Sequence, residues 1–289
     1  MSPYTLPDTE LERMLLEDAP QGDATTFTLG IGARPARMVF RARGPMMVCG
    51  SEESAAMGRL RGLAVTVHVP SGRVVEAREP LLSFTGPAAA VHLVWKSAQT
   101  LMEYLSGIAS AASDIVLAAR TGRPECAVVC TRKTFPGTKS ASIKAVLCGG
   151  AGAHRLNLSE TLLVFEEHRC LLDEPPATTV ARLRQRWPER PVVVEVAGAE
   201  EAMRWIEAGA DVIQLEKWSV DAVAQLRARV DQRDETSRRA LLAAAGGVKA
   251  GNAADYARAG ADMLVTSAPY FAPPRDVAVT ISRDTGAEA

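Results

Sequence analysis

The chain has 289 residues, 47% of them hydrophobic, and its 33 basic and 34 acidic residues leave a formal net charge of −1. This length allows one large domain or two, because single hydrophobic cores rarely grow beyond roughly 250–300 residues. The near-zero charge excludes a general electrostatic attraction to nucleic acid or membranes, so we expect any anion binding to be local.

The sequence carries no pattern typical of export. Its five cysteines form no CxxC pair, and the opening residues MSPYTLPDTELERM lack the apolar core of a signal peptide. No apolar run approaches the ~18–20 residues of a transmembrane helix. We therefore expect a cytoplasmic protein with reduced thiols.

Short apolar segments separated by Gly, Pro and Ser open the chain and lead into a long helical pattern. ARMVFRARG, AVTVHVPSG and PLLSFTG predict strands, and residues 87–120 predict the helix. These patterns predict an N-terminal α+β domain over residues 1–108. The C-terminal segment 275–289 contains the alternating stretch RDVAVTISR, which predicts a strand that rejoins this domain.

Residues 109–274 alternate strand and helix patterns. RPVVVEV, ADVIQLE, RALLAAAGG and ADMLVTS predict strands, while SVDAVAQLRARV and NAADYARAG predict helices capped by Ser219 and Asn252. Such alternation indicates a parallel sheet, open or closed into a barrel. The repeated AGAD at two strand starts and the lack of a GxGxxG fingerprint favour an α/β barrel over a dinucleotide-binding fold.

Polar residues close the predicted barrel strands, at the face where barrel enzymes carry their active sites. They are Arg132, Lys133, His154, Arg155, Glu195, Glu216, Gly246, Gly247, Thr266 and Ser267. Gly-Gly lets backbone N–H groups approach a terminal phosphate, and the Thr-Ser pair adds hydroxyl donors. The cations suit a multiply charged ligand. Each group could also have a purely structural role. Glu195 could be an ion-pair partner, Gly246-Gly247 an ordinary turn, Thr266-Ser267 a helix cap, and Arg132-Lys133 part of a solvated loop.

Several of these segments occur together, in the same order, in a known enzyme family. They are QGDATT, KSAQTLMEYLSGIAS, TRKTFPG, KAVLCGGAGAHRLNLSETLL, VVVEV, VIQLE and GGV. The segments resemble the GD-x-T opening, the SGIAT helix, the TRKT-x-PG and GG-x-x-HR loops, the two acidic strands and the phosphate-binding SGGI of quinolinate phosphoribosyltransferases, the nicotinate-nucleotide pyrophosphorylases. The resemblance implies that family's α/β barrel with an N-terminal α+β sandwich domain.

The resemblance also implies a reaction. A nitrogen-containing, heterocyclic acceptor attacks C1 of 5-phosphoribosyl-1-pyrophosphate (PRPP), and pyrophosphate leaves. Glu195 and Glu216 would hold the ribose hydroxyls or Mg²⁺ and stabilise an oxocarbenium-like transition state. Lys133 would act in catalysis, and the acceptor and pyrophosphate would be bound by Lys96, Arg132, Lys139, His154, Arg155 and Phe165. The 5′-phosphate would be bound by Gly246, Gly247, Thr266 and Ser267. The family implies a homodimer, in which Lys96 of the partner subunit completes each site.

Departures from the family motifs point to its ModD branch, which is associated with molybdate transport. Lys96 replaces Arg, Phe165 replaces Lys, Glu167 replaces Asn and Glu216 replaces the usual Asp; LVFEEHR and VTSAPYF also resemble ModD segments. Without the lysine at position 165 the site lacks a charge-assisted hydrogen bond of ~1.5–3 kcal/mol. We therefore expect an acceptor that is less anionic than quinolinate. Alternatively, Phe165 packs in the core, and Lys139 or Lys144 supplies the cation.

Three other functions stay open from the sequence. A non-catalytic oxyanion- or metabolite-binding protein would need the cations but not Glu195 and Glu216. A true quinolinate phosphoribosyltransferase would use quinolinate despite Phe165. A Schiff-base enzyme would use Lys133, assisted by the adjacent Arg132.

Overall fold

The structure, a computed structural model, describes residues 5–232 and 239–285. Its helices are α1 (Asp8–Asp18), α2 (Ala24–Thr28), α3 (Ser51–Leu60), α4 (Ala88–Gly122), α5 (Lys139–Cys148), α6 (Glu166–Arg169), α7 (Pro176–Arg186), α8 (Ala199–Glu207), α9 (Val220–Asp231) and α10 (Ala250–Arg258). Its strands are β1 (Pro35–Ala42), β2 (Met46–Met47), β3 (Ala64–Val67), β4 (Val74–Val75), β5 (Pro80–Pro87), β6 (Ala127–Cys130), β7 (Gly152–Ala153), β8 (Leu162–Val164), β9 (Val192–Val196), β10 (Val212–Glu216), β11 (Leu241–Ala245), β12 (Met263–Thr266) and β13 (Val277–Arg283).

The chain divides into two compact units that are discontinuous in sequence. The first unit comprises residues 1–113, 135–150 and 269–289, and the second comprises residues 114–134 and 151–268. The sequence-based division after residue 108 assigned residues 135–150 to the barrel. In the structure this segment, which contains α5, packs within the first unit, because α5 makes its buried contacts with residues far away in the chain.

The first unit contains a four-stranded antiparallel sheet in the order β13-β1-β5-β3. Alternate residues of β1, including Met38 and Phe40, are fully buried, as the period of two requires for a sheet with one covered face. The Phe40 ring lies 5.4 Å from that of Phe84 on β5. β13 belongs to the segment 275–289 and pairs along the length of β1; residues 286–289 of that segment lie outside the described residues.

Helix α4 begins in the first unit, and its length and apolar composition would suffice to cross a membrane. Half of its most apolar window is buried inside the protein, which is typical of a core helix in a folded domain. The apolar run that the sequence reading overlooked therefore belongs to this helix, where it contributes to the packed interior.

The second unit is built on a seven-stranded sheet in the order β7-β6-β12-β11-β10-β9-β8, and every neighbouring pair is parallel. The sheet curls into a half-barrel whose end strands β7 and β8 are not hydrogen-bonded to each other in the described part of the chain. The predicted α/β barrel architecture is confirmed in this open form. The strand patterns from RPVVVEV to ADMLVTS correspond to β9–β12, and the two helix patterns correspond to α9 and α10.

The two predicted helix caps have different outcomes. Ser219 is the N-cap of α9, and its hydroxyl accepts a hydrogen bond of 3.2 Å from the N–H of Ala222. Asn252 is not the N-cap of α10, because that helix begins two residues earlier, at Ala250. The Asn252 side chain instead accepts a hydrogen bond from the Lys249 N–H and donates one to the Gly247 carbonyl. These two bonds stabilise the loop that precedes the helix.

Strand register decides which side chains share a face of the parallel sheet. The buried cluster on this face contains Leu163, Val193, Val212, Ala243, Ala245 and Val265. Because side chains alternate along a strand, the residues two and four positions after Val212 share its face. They are Gln214 and Glu216, and Glu195 is the register partner of Gln214 on β9. Polar residues therefore follow the apolar core directly toward the carboxyl ends of the strands.

Candidate active site

A cavity of about 760 Å³ opens at the carboxyl ends of the parallel strands of the second unit. Its polar lining comes from strand ends and the loops that follow them: Thr131, Arg132, Lys133, His154, Arg155, Glu167, Glu195, Gln214, Glu216, Lys217, Lys249, Thr266 and Ser267. Residues separated by more than a hundred positions in the chain thus meet in one cavity, as expected for a parallel α/β sheet.

The structure brings together most of the site residues predicted from the sequence. All of them line this cavity except Lys96 and Lys139, which belong to the first unit. Lys144, considered as a substitute cation, is also in the first unit, where it is fully buried and pairs with Glu52 and Glu53. Lys144 is therefore committed to a structural ion-pair cluster.

The acidic side of the cavity is centred on Glu195. Its Oε2 accepts a hydrogen bond of 2.5 Å from Gln214 Nε2, and its backbone carbonyl accepts one from Arg169. Burial raises the pKa of the Glu195 carboxyl, and the charges of Glu216 and Glu167 raise it further, while the hydrogen bond from Gln214 opposes the shift. Among the described residues no salt bridge joins Glu195 to a cation, so its reading as a structural ion-pair partner is not supported.

On its basic side, the loops after β6 and β7 give the cavity one buried and two exposed cations. Arg132 and Lys133 are exposed, whereas Arg155 is only 8% exposed, and burial together with Arg132 lowers its pKa. Burial and the charge of Arg155 lower the pKa of His154, so this imidazole is neutral near pH 7. The basic side therefore combines permanent positive charge with a neutral hydrogen-bonding ring.

Phe165 lies between the core and the cavity. Its ring packs against the buried cluster of the sheet, stacks on His168 at 5.8 Å and has the Arg155 guanidinium 5.6 Å from its centroid. It also lines the cavity. The ring therefore packs in the core, and its cavity side gives the site an aromatic surface where the family has a lysine. Neither Lys139 nor Lys144 lines this cavity.

The Gly246-Gly247 turn connects β11 to the loop before α10. Both glycines have left-handed backbone angles, with φ values of +81° and +84°. A Cβ on Gly246 would lie 2.8 Å from Glu216 Oε1 and 2.7 Å from Lys217 Cγ, so only glycine fits beside the acidic strand end. The turn leads into the N-terminus of α10, and the exposed backbone N–H groups there suit a phosphate.

Thr266 lies at the predicted strand end, but its hydroxyl is bonded within the protein. Its hydroxyl donates a hydrogen bond of 2.8 Å to the Val248 carbonyl and accepts one of 3.0 Å from the Ala268 N–H. The side chain is buried and joins β12 to the loop after β11. Its hydroxyl donor is thus already used within the protein. Ser267, which follows it, also lines the cavity and stays a candidate hydroxyl donor to phosphate.

Sequence reasoning missed Gln214, Lys217 and Lys249 among the polar residues of the cavity, and it gave no role to Thr131 or Glu167. Gln214 was detectable, because the alternation in VIQLE places it on the same face as Glu216. Lys217 adopts φ +60°, a left-handed angle that is uncommon for a non-glycine residue, and its N–H donates to the Ala245 carbonyl at 2.7 Å. Lys249 precedes α10. No local pattern separates these lysines from ordinary surface lysines.

Comparison with known proteins assigns the family. The C-terminal domain model of quinolinate phosphoribosyl transferase matches residues 108–280, and the N-terminal domain model matches residues 23–106. The chain belongs to the quinolinate phosphoribosyl transferase family. It is a pentosyltransferase by this membership, so the enzyme class expected from the TRKT, GG-x-x-HR and acidic-strand segments is confirmed.

Two relatives within the quinolinate phosphoribosyl transferase family carry the name ModD and are described as pyrophosphorylases. The protein of Rhodobacter capsulatus is 44% identical over 258 residues, which cover 89% of this chain and 98% of the relative. The protein of Pasteurella multocida is 36% identical over 278 residues, which cover 96% of this chain and 98% of the relative. The resemblance to the ModD branch is therefore confirmed over nearly the full length.

Solved structures of the quinolinate phosphoribosyl transferase fold resemble this chain closely. The nicotinate-nucleotide pyrophosphorylase of Francisella tularensis superposes with a TM-score of 0.87 at 21% identity, covering 96% of this chain and 98% of the other. The enzyme of Ehrlichia chaffeensis gives a TM-score of 0.86 at 19% identity, covering 96% and 99%. At these identities the likeness establishes the fold.

The cavity contains carboxylates of the kind that bind Mg²⁺. Within residues 5–232 and 239–285 no three His, Cys, Asp or Glu side chains are grouped closely enough to form a metal cage. Mg²⁺ is commonly held by one or two carboxylates and by substrate phosphates, with water completing the octahedron. Glu195 and Glu216, which line the same cavity and interact electrostatically, fit that role.

Proposed function

We propose that this chain transfers the 5-phosphoribosyl group of PRPP to a ring nitrogen of a heterocyclic acceptor and releases pyrophosphate. The observation that carries the proposal is a single cavity lined by the two acidic strand ends, the double-glycine turn and a group of cations. PRPP combines these requirements, because it has a 5′-phosphate, a diol-bearing ribose and a pyrophosphate leaving group.

The roles of the side chains follow from their charge. Glu195 and Glu216 accept hydrogen bonds from the ribose hydroxyls and stabilise the positive charge that develops at C1 as the bond to pyrophosphate breaks. The backbone at Gly246-Gly247 and the N-terminus of α10 bind the 5′-phosphate, with Lys249 as a counter-charge. Glu195 and Glu216 would hold Mg²⁺ together with the substrate, and the ion would supply charge neutralisation for the leaving pyrophosphate.

The basic residues bind the groups on either side of C1. Arg132, Lys133 and Arg155 attract the pyrophosphate and any acidic substituent of the acceptor. Neutral His154 is a hydrogen-bond partner for a ring nitrogen or substituent. The aromatic face of Phe165 replaces a cation of the family motif, which supports an acceptor with less negative charge than quinolinate, such as another N-heterocycle.

We further propose a homodimer in which Lys96 completes the site of the partner subunit. Lys96 is exposed on α4, does not line the cavity of its own second unit, and has its Nζ 4.6 Å from the Trp95 ring. An exposed lysine held beside an aromatic ring suits an intersubunit anion contact.

The similarity to ModD proteins supports a place in molybdate transport metabolism, and the family supports a cytoplasmic location.

Calorimetric titration with PRPP, with and without Mg²⁺, tests the proposal. We expect Mg²⁺-dependent binding in the micromolar range, within the usual span of enzyme–substrate affinities. Glu216→Gln removes one charge at the site and should weaken that binding at least tenfold. Glu189→Gln removes the same charge at an exposed position and should leave it unchanged.

The alternative functions are separated by this titration together with a turnover assay and a trapping experiment. Binding of PRPP that is independent of Mg²⁺ and of Glu216 would contradict the transferase proposal and favour the oxyanion-binding protein, with molybdate as the next titrant. Turnover with quinolinate equal to that with the best other heterocycle would identify a true quinolinate phosphoribosyltransferase. Trapping of an adduct at Lys133 by borohydride would identify the Schiff-base enzyme.

A further inference from the structure

The first unit places two cysteines from distant parts of the chain side by side. Cys49 lies between β2 and α3 and is fully buried, and Cys148 is the last residue of α5 and is partly exposed. Gly72 neighbours both segments: its N–H donates to the Val48 carbonyl at 2.8 Å, and a Cβ on it would lie 4.0 Å from the Cys148 carbonyl oxygen. Each thiol shifts the pKa of the other, as two sulfurs that lie close together do.

A buried ion-pair cluster holds this arrangement in place. Lys144, one helical turn before Cys148, has its Nζ 2.8 Å from Glu52 Oε2 and 2.5 Å from Glu53 Oε2. Both glutamates belong to the first turn of α3, shortly after Cys49. Successive turns of α5 therefore contact one short segment, residues 49–53. The backbone of Cys49 is fixed as well, since its N–H donates to Ser106 Oγ at 3.0 Å.

The two thiols differ in chemistry. The hydrogen bond from Cys49 and the charge of Lys144 lower the pKa of Cys148, whereas the same thiol contact and burial raise the pKa of Cys49. Burial raises the pKa of Cys126 to about 11 and that of Cys130 to about 12. A partly exposed thiol with a lowered pKa, next to a buried thiol with a raised pKa, is the combination found in an attacking and a resolving cysteine.

We propose that Cys148 and Cys49 form a reversible disulfide when the protein meets a hydroperoxide. The Cys148 thiolate attacks the peroxide O–O bond, becomes a sulfenic acid, and the departing oxygen leaves as water after protonation. The Cys49 sulfur then displaces hydroxide from the Cys148 sulfur, and a second water forms with the Cys49 proton. The two sulfurs lose two electrons in total, the peroxide gains them, and a small thiol reverses the reaction by exchange.

The bond would attach the end of α5 covalently to the segment that precedes α3. Along the chain, α5 connects the loop of Arg132 and Lys133 with the loop of His154 and Arg155. A covalent link at Cys148 thus lies between the two segments that supply the predicted cations. The inference does not depend on the transferase reaction, because it rests on contacts within the first unit.

Mass spectrometry of the full-length protein tests the inference. The reduced protein is treated with a small excess of H₂O₂, and we expect a mass loss of about 2 Da and a peptide in which residues 49 and 148 are joined. Dithiothreitol should restore the original mass. In Cys49→Ser the intermediate cannot be resolved, so dimedone should label Cys148. Cys170→Ser, a change at an exposed cysteine outside the pair, should form the crosslink at the wild-type rate.

Several results would overturn the inference. One is oxidation of Cys148 to stable sulfenic or sulfinic acid in the wild-type protein without a crosslink. Another is a crosslink that joins a different cysteine pair, or complete inertness of Cys148 while Cys170 reacts. If Cys49→Ser does not fold, Cys49→Ala replaces it, and the wild-type crosslink remains the deciding observation.

Discussion

Replacing Lys144 with methionine should destabilise the first unit strongly. The Lys144 side chain is 1% exposed, and its Nζ bridges Glu53, also 1% exposed, and Glu52, 30% exposed. Methionine keeps most of the side-chain volume but leaves the buried carboxylate of Glu53 and the partly buried carboxylate of Glu52 without a cation. Removing one partner from a buried ion pair costs about 3–5 kcal/mol.

The ionisation of Glu52 reflects the same interaction together with the hydrogen bonds from Ser71. Hydrogen bonds from Lys144 and Ser71, opposed by burial, lower the pKa of Glu52 from 4.5 to about 2. A depression of that size corresponds to about 3 kcal/mol. This stabilisation is present above pH 4.5 and is lost as the pH falls toward 2. The stability difference between the wild-type protein and Lys144→Met should therefore shrink over this range.

Urea unfolding and thermal melting between pH 7 and pH 3 measure these effects. At pH 7 we expect a melting temperature about 6–20 °C lower for Lys144→Met. Lys139→Met, at the exposed start of the same helix, should melt within about 2 °C of the wild-type protein. Adding Glu53→Gln to Lys144→Met should recover part of the loss. A Lys144→Met protein that is as stable as wild type at pH 7 would refute the reasoning.

Three further predictions concern the cavity. Gln214→Met removes the hydrogen bond that opposes the raised pKa of Glu195. PRPP binding needs the ionised carboxylate, so on acidification it should be lost at a higher pH than in the wild-type protein. Calorimetry at several pH values measures this shift, its absence would contradict the prediction, and Gln185→Met at an exposed position of α7 is the control. Phe165→Lys should increase the affinity for quinolinate roughly tenfold to a hundredfold, as measured by competition binding, and an unchanged affinity would show that this position does not face the acceptor. Gly246→Ala should weaken the binding of inorganic phosphate and of PRPP at least tenfold. The added Cβ would overlap Glu216 and Lys217 at the end of β10, and φ +81° is unfavourable for alanine. Normal binding by a folded variant would show that this turn does not bind the phosphate.

Local sequence patterns were sufficient to predict a segment's structure where a single requirement, such as burial of an apolar strand, dominates that segment. VVVEV and VIQLE had to be buried strands, and their polar positions had to emerge where the apolar residues end. The same reasoning predicted Ser219 as a cap but failed at Asn252, because the actual start of α10 depends on the glycine turn that precedes it. Helix ends are set by loop geometry as much as by the capping residue.

The chemical role of a polar residue was harder to predict than its position. Thr266 lies at the predicted strand end, yet its hydroxyl is used to join two loops. Lys144 follows the cation-rich loop in sequence, yet it is buried with glutamates from α3. Gln214 was overlooked, although its amide is the direct partner of Glu195. A side chain's partners come from other elements, so its sequence neighbours do not reveal them.

The sequence by itself determined the parallel α/β architecture, the family, and the strand ends that carry the polar residues, because periodicity and short motifs are local properties of the chain. The tertiary structure alone decided which of those residues share a cavity, that α5 packs in the first unit, and that Cys49 lies beside Cys148. These relations join residues far apart in the chain. Their energies depend on burial and on distances of a few ångströms, and both arise only when the chain is folded.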